Sequence, residues 1–169
     1  MNKRRNACRR ERPISGGLRG TAKARGSTLT EFAFVLPLLA MMMFGVIDFG
    51  RALYTYHFVS NAAREATRWA SVRGGQCTAW PQACPAIQAD VQNYVAGIAP
   101  PGIDPSPQTL AVTAAWMPPP ENPASCIGAA NNPGCAVQVQ VTYNFKFLLP
   151  FLPTSTYAMQ STSEMIISQ

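Results

Sequence analysis

An α+β fold is predicted for this 169-residue chain: one very long N-terminal helix, then a short helix and a small antiparallel sheet of about three strands. Three observations predict it. An uncharged apolar run, Phe32–Ile47, passes without a stop signal into an alanine-rich amphipathic stretch that ends at Arg73-Gly74-Gly75. A shorter segment over 85–99 carries apolar residues at helical spacing. Beyond it the chain alternates, most clearly where Val137, Val139, Val141 and Tyr143 interleave with Gln138, Gln140, Thr142 and Asn144. Helices grouped at one end and strands at the other is the pattern of α+β proteins.

The charge is unevenly spread. Residues 1–26 hold nine Lys or Arg against the single acid Glu11, whereas the rest of the chain holds five basic and seven acidic groups. The overall charge of +6 therefore belongs to a short basic leader, and the body is slightly acidic. A folded basic surface for nucleic acid is not supported by that distribution and no nucleic-acid partner is expected, although the tail alone could bind polyanions. The leader, with Gly16, Gly17, Gly20 and Gly26, reads as irregular and cytoplasmic. Basic residues before an apolar run keep that side in the cytoplasm.

The long helix is expected over 27–73, with its transmembrane half over 27–47. From Glu31 to Asp48 is 17 steps, or about 25 Å of helix, slightly less than the hydrocarbon thickness of a bilayer. The two acids then mark its boundaries. The run is long for a removable signal, and no small-x-small cleavage site follows it, so it is read as a retained single-pass anchor. Pro37 lies inside the span, where membrane helices tolerate proline, and predicts a kink.

Past Asp48, Phe49, Tyr56, Ala63 and Ala70 recur every seven residues, with Ala52/Leu53, Val59/Ser60 and Ala66/Thr67 between them. Arg51, His57, Asn61, Arg64, Glu65 and Arg68 occupy the other face. The whole helix would be about 69 Å long, so its outer half offers this seam to something other than lipid. Ala62, Ala66 and Ala70, four apart, would let a second helix approach closely. Glu65 and Arg68 form an i, i+3 pair, and Arg64, Glu65 and Arg68 are candidate contacts to a partner subunit.

The exported module is expected over 74–169. Ile87, Val91, Tyr94, Val95 and Ile98 predict the short helix, with Pro85 near its start. Strands follow over 109–117, 136–149 and 157–168, separated by loops rich in Pro and Asn. Four of the five cysteines, Cys77, Cys84, Cys126 and Cys135, lie on this side, where disulfides persist; Cys8 lies in the leader. Of the three possible connectivities, 77–84 and 126–135 close the shortest loops and are favoured. Their spacing fits neither a zinc site nor a CxxC redox motif, so an anchored thiol–disulfide enzyme is disfavoured. With His57 as the sole histidine, no phosphate loop and no paired carboxylates, neither catalysis, a metal nor a cofactor is expected.

Glu31 admits two compatible readings. Thr28-Leu29-Thr30-Glu31 fits a capping box that starts the helix. The second reading comes from resemblance. Gly26, four residues, then Glu31-Phe32 and an apolar helix resembles a class III prepilin signal. The stretch containing Glu31-Phe32, Leu36-Pro37, Phe44-Gly45, Phe49-Gly50 and Asn61-Ala62-Ala63-Arg64-Glu65 resembles the TadE-like pseudopilins of Tad (Flp) pilus systems. That resemblance covers 26–73 well and the remainder only in outline. It implies a pilin-like fold, cleavage by a prepilin peptidase between Gly26 and Ser27, and roles for Glu31 and Phe32 in assembly. The partners it implies are other pilins or pseudopilins, an inner-membrane assembly platform and the lipid bilayer. The implied location is the inner membrane, with the N-terminus cytoplasmic and the module periplasmic or extracellular. The alternative is an unprocessed bitopic membrane protein whose disulfide-stapled module binds a partner, with Glu31 only a cap.

Overall fold

A computed structural model describes residues 25–78, 83–148 and 156–168. Residues 1–24 of the leader, with Cys8, and Leu149 at the end of the second expected strand lie outside the described residues. The elements are α1 (Arg25–Ser71), α2 (Gln88–Gly97), β1 (Leu110–Met117), β2 (Ala136–Phe145) and β3 (Tyr157–Ile166), with a 3-10 turn at Pro123–Ser125. The α+β class is as predicted. The chain divides into two compact units, Met1–Met41 and Met42–Gln169.

In the first unit α1 starts at Arg25 and runs through Pro37 uninterrupted. Thr28 therefore stands inside the first turns of the helix and not at its N-cap, which removes the capping box expected there. Leu29, Phe32, Phe34, Val35, Leu36, Leu38 and Leu39 are all exposed.

In the second unit the strands form an antiparallel sheet in the order β1-β2-β3. Val112 faces Val141, and Val139 faces Ser163. Alternation sets the two faces: Val137, Val139, Val141, Tyr143 and Phe145 are buried while the glutamines and Thr142 between them are not. Each fully buried valine contributes about 1.5–3 kcal/mol relative to exposure. Val59, Ala62, Ala63, Ala66 and Ala70 of α1, and Val91 and Val95 of α2, complete this core. The Thr67 hydroxyl donates to the Ala63 carbonyl (2.7 Å) and reaches the Ser163 carbonyl of β3 (3.3 Å).

The margin of β1 is finished by a side chain. The Gln92 amide of α2 donates to the Leu110 carbonyl (2.9 Å) and accepts from the Val112 N–H (2.8 Å), as a neighbouring strand would. Before β1, Asp104 accepts from the Ser106 N–H (3.0 Å) and from the hydroxyls of Ser106 and Thr109. These bonds, the Ser106 backbone one first, hold its carboxyl below the usual carboxylate range.

Both favoured disulfides are formed. Cys77 pairs with Cys84 and Cys126 with Cys135, with Cα separations of 5.9 and 4.3 Å. Gly134 lies beside the second, at φ +86°, and a Cβ there would collide with the Ser125 carbonyl oxygen. The position therefore requires glycine on both counts.

Element ends shift from their expected places, β3 closing at Ile166 instead of 168, and two of the shifts have a visible cause. β2 ends at Phe145, not at 149. The backbone leaves the ladder there because the Leu148 N–H bonds to Asp48 of α1 (2.9 Å). α1 closes at Ser71, where the Arg73 N–H turns back to the Ala70 carbonyl (3.0 Å).

Candidate functional site

Three places on α1 carry the residues singled out from the sequence. The first is its start. Gly26 and Ser27 lie in the first turn of α1. The first N–H groups of a helix have no intrahelical partner, so this turn opens at little cost. Glycine lowers that cost by about 1 kcal/mol relative to alanine. A peptide bond here is thus among the easiest on the helix to present in extended form. Glu31 and Phe32 follow one turn later, both exposed.

The second place is the seam, and the structure corrects its expected use. Ala62, Ala63, Ala66 and Ala70 are buried by the chain's own sheet and α2, so they are not open to a partner helix. Small side chains still serve close approach, but to the sheet. Phe49 and Tyr56, assigned to the same seam, are exposed. The stripe at that end instead runs through buried Asp48, Thr55 and Val59, with Ala52 half-buried between them. An α-helix of 3.6 residues per turn drifts about 20° from a strict seven-residue repeat every heptad, which carries Tyr56 and Phe49 toward the flank of the stripe, where they are left exposed.

Arg64, Glu65 and Arg68 are exposed on the opposite side. Glu65 does not form the expected ion pair with Arg68; it accepts a hydrogen bond from the Tyr94 hydroxyl of α2 (2.9 Å). Tyr94 stacks on Trp69 at 5.0 Å between ring centres, and the Arg73 guanidinium lies 4.2 Å from the Trp69 ring. Burial, then the Glu65 bond, raises the Tyr94 phenol above its ordinary value. This ladder pins α2 to α1. His57 is exposed, edge-on to Tyr56 at 6.3 Å.

The third place is Asp48, which sequence reading took for a boundary marker. It is buried to 3% exposure. One carboxylate oxygen pairs with the Arg51 guanidinium (2.8 Å) and the other accepts the Leu148 N–H (2.9 Å). Arg51 in turn lies 5.3 Å from the Phe145 ring centre, and Phe145 meets Phe147 edge-on at 5.1 Å. A carboxylate buried this deeply is held because both oxygens are satisfied by charge-assisted bonds. Beside it an open groove of about 370 Å³ runs between Gly45, Phe49 and Ala52 of α1 and Phe147, Tyr157 and Met159. No local signal in the sequence links residues 48 and 148; only the acid at the end of an apolar run hinted at a special place.

The apolar part of α1 is long and apolar enough to cross a membrane. Residues 26–68 match the family model described as TadE-like protein. The match opens at Gly26 and closes at Arg68, within α1. No curated protein and no solved structure matches the chain.

Proposed function

We propose that this chain is a minor pseudopilin acting in assembly of a Tad/Flp-type pilus or a related secretion system, and that a prepilin peptidase matures it between Gly26 and Ser27. The TadE-like match over 26–68 carries the reading, since the matched segment begins at the residue after which the cut is expected. The match over 26–68 supports a role in Tad pilus assembly in general; the processing step and the particular partners are our inference. The peptidase, neighbouring pilins and the inner-membrane platform are the partners. The chain itself performs no catalysis.

Physical chemistry gives the cut a consequence. It removes the +8 leader and creates a Ser27 α-amino cation four residues before Glu31. A charged group within the bilayer costs about 2.5–3.5 kcal/mol on insertion scales, so pairing amine and carboxylate is favoured at that depth. The pair can form within one chain or between neighbours, and it has no counterpart in the precursor. Processing thereby becomes a condition for subunit register.

Amino-terminal sequencing of the protein extracted from membranes tests the reading. The expected sequence is Ser27-Thr28-Leu29. A start at Met1 overturns it in favour of the unprocessed bitopic protein.

A further inference from the structure

Leu148 is tied to Asp48, and that bond sets the height of the segment after β2 along α1. Asp48 directly follows the exposed apolar residues Met42, Met43, Phe44, Val46 and Ile47 of the same compact unit. At about 1.5 Å per residue, these lie within roughly 9 Å of Asp48 along the axis. Leu148 therefore stands at the level where the apolar run ends. Around it the surface is strongly apolar and uncovered: Leu148 is 70% exposed, Phe49 64% and Tyr157 61%. Phe147 forms the wall of the groove against Gly45 and Phe49. Lys146, the only charge on this segment among the described residues, is exposed beside them.

We propose that this rim, Phe49 with Phe147, Leu148 and Tyr157, lies in the interfacial layer of the bilayer, so that lipid holds the module at a second place beside its span. Its composition is that of a membrane interface: aromatic rings, one aliphatic tip and a lysine whose stem can snorkel to the headgroups. Asp48 suits this position because its charge is already matched by Arg51 and the Leu148 N–H, leaving no bare carboxylate to face lipid. Continuity with the span favours lipid over a protein as the occupant. A rim held in this way restrains the module's swivel about the helix. The inference rests on α1 spanning the membrane.

Site-directed nitroxide labelling of the full-length chain tests it. In a Cys8→Ser background with both disulfides intact, L148C and Y157C are labelled singly and reconstituted into phosphatidylcholine–phosphatidylglycerol vesicles. V46C reports the span and T113C, on the exposed outer face of β1, reports water. The ratio of oxygen to nickel-chelate collision at 148 and 157 should exceed that at 113 several-fold. A ratio at both positions equal to that at 113 overturns the proposal while a lipid-like 46 leaves the span standing. Exclusion of both reagents at 148 also overturns it, by placing a polypeptide over the rim. A water-like 46 overturns the span and the proposal together. L148C and Y157C alter exposed side chains, and an unchanged melting temperature confirms that the fold is intact.

Discussion

Two stretches of α1 use hydrophobicity in opposite ways. Over 29–39 the large side chains, Phe32, Phe34, Leu36 and Leu39 among them, are exposed. Over 59–70 the buried positions hold Val59, four alanines and Thr67. A water-soluble helix would do the reverse, burying the large residues and tolerating alanine outside. The difference teaches that the two stretches answer to different solvents. The first is suited to lipid chains, for which size and greasiness suffice. The second packs on the buried face of the sheet, where Val137, Val139 and Val141 of β2 lie, and there a small residue sets the distance of approach.

That contrast is broken most easily by a charge. Leu39→Lys, in the middle of the apolar run, should cost about 2.5–3.5 kcal/mol of membrane insertion. The membrane-bound fraction should fall while the melting temperature of the detergent-solubilised protein stays put. An unchanged membrane fraction would show that the stretch does not face lipid. Next comes the point where the two stretches meet. Asp48→Ala leaves Arg51 and the Leu148 N–H without their shared acceptor, and should destabilise the module by about 1.5–3 kcal/mol, read by thermal unfolding in detergent. Asp48→Asn, which keeps an acceptor but no charge, should recover part of that loss.

A similar or slightly smaller effect is expected from the seam itself. Ala66→Leu pushes a branched side chain between α1 and the sheet, at a cost of about 1–3 kcal/mol with insertion unaltered. The same substitution would be harmless if the seam awaited a partner instead of being filled. The smallest effect concerns the α1–α2 ladder. Tyr94→Phe removes a largely solvent-exposed bond to Glu65 and should cost about 0.5 kcal/mol. Because the folded phenol is raised above 10.0, the bond's contribution is complete below that value and lost as pH climbs through the higher folded one. Phenolate absorbance should accordingly show one late-ionising tyrosine that Tyr94→Phe abolishes.

The elements were legible where local pattern dictates them. The valine–glutamine alternation of β2, the apolar spacing of α2 and the length of the apolar run each reflect burial repeated at one period. The short-loop disulfides were legible for the same local reason. What escaped depends on contacts between distant residues. Asp48 is polar, so hydropathy assigns it to the surface; its burial requires Leu148, 100 residues away. Glu65 had a plausible neighbour in Arg68 but bonds to Tyr94, 29 residues on. The seven-residue seam failed by a small angular error that grows along a helix. At the helix start, Gly26-x4-Glu31 was readable as a pattern, whereas the position of the first turn was not.

The Gln92 amide at the margin of β1 has a consequence for the protein's behaviour in a crowd. A sheet margin normally invites any extended polypeptide to add to it, and such addition seeds aggregates. Here an intruding strand would first have to evict a carboxamide holding two backbone groups, at about 1–3 kcal/mol. The carboxamide covers the start of that margin, at Leu110 and Val112, and so hinders the pairing of one copy's sheet with another's there. Gln92→Ala should therefore reveal itself less in melting temperature than in the yield of unaggregated, detergent-extracted protein, read by size-exclusion chromatography.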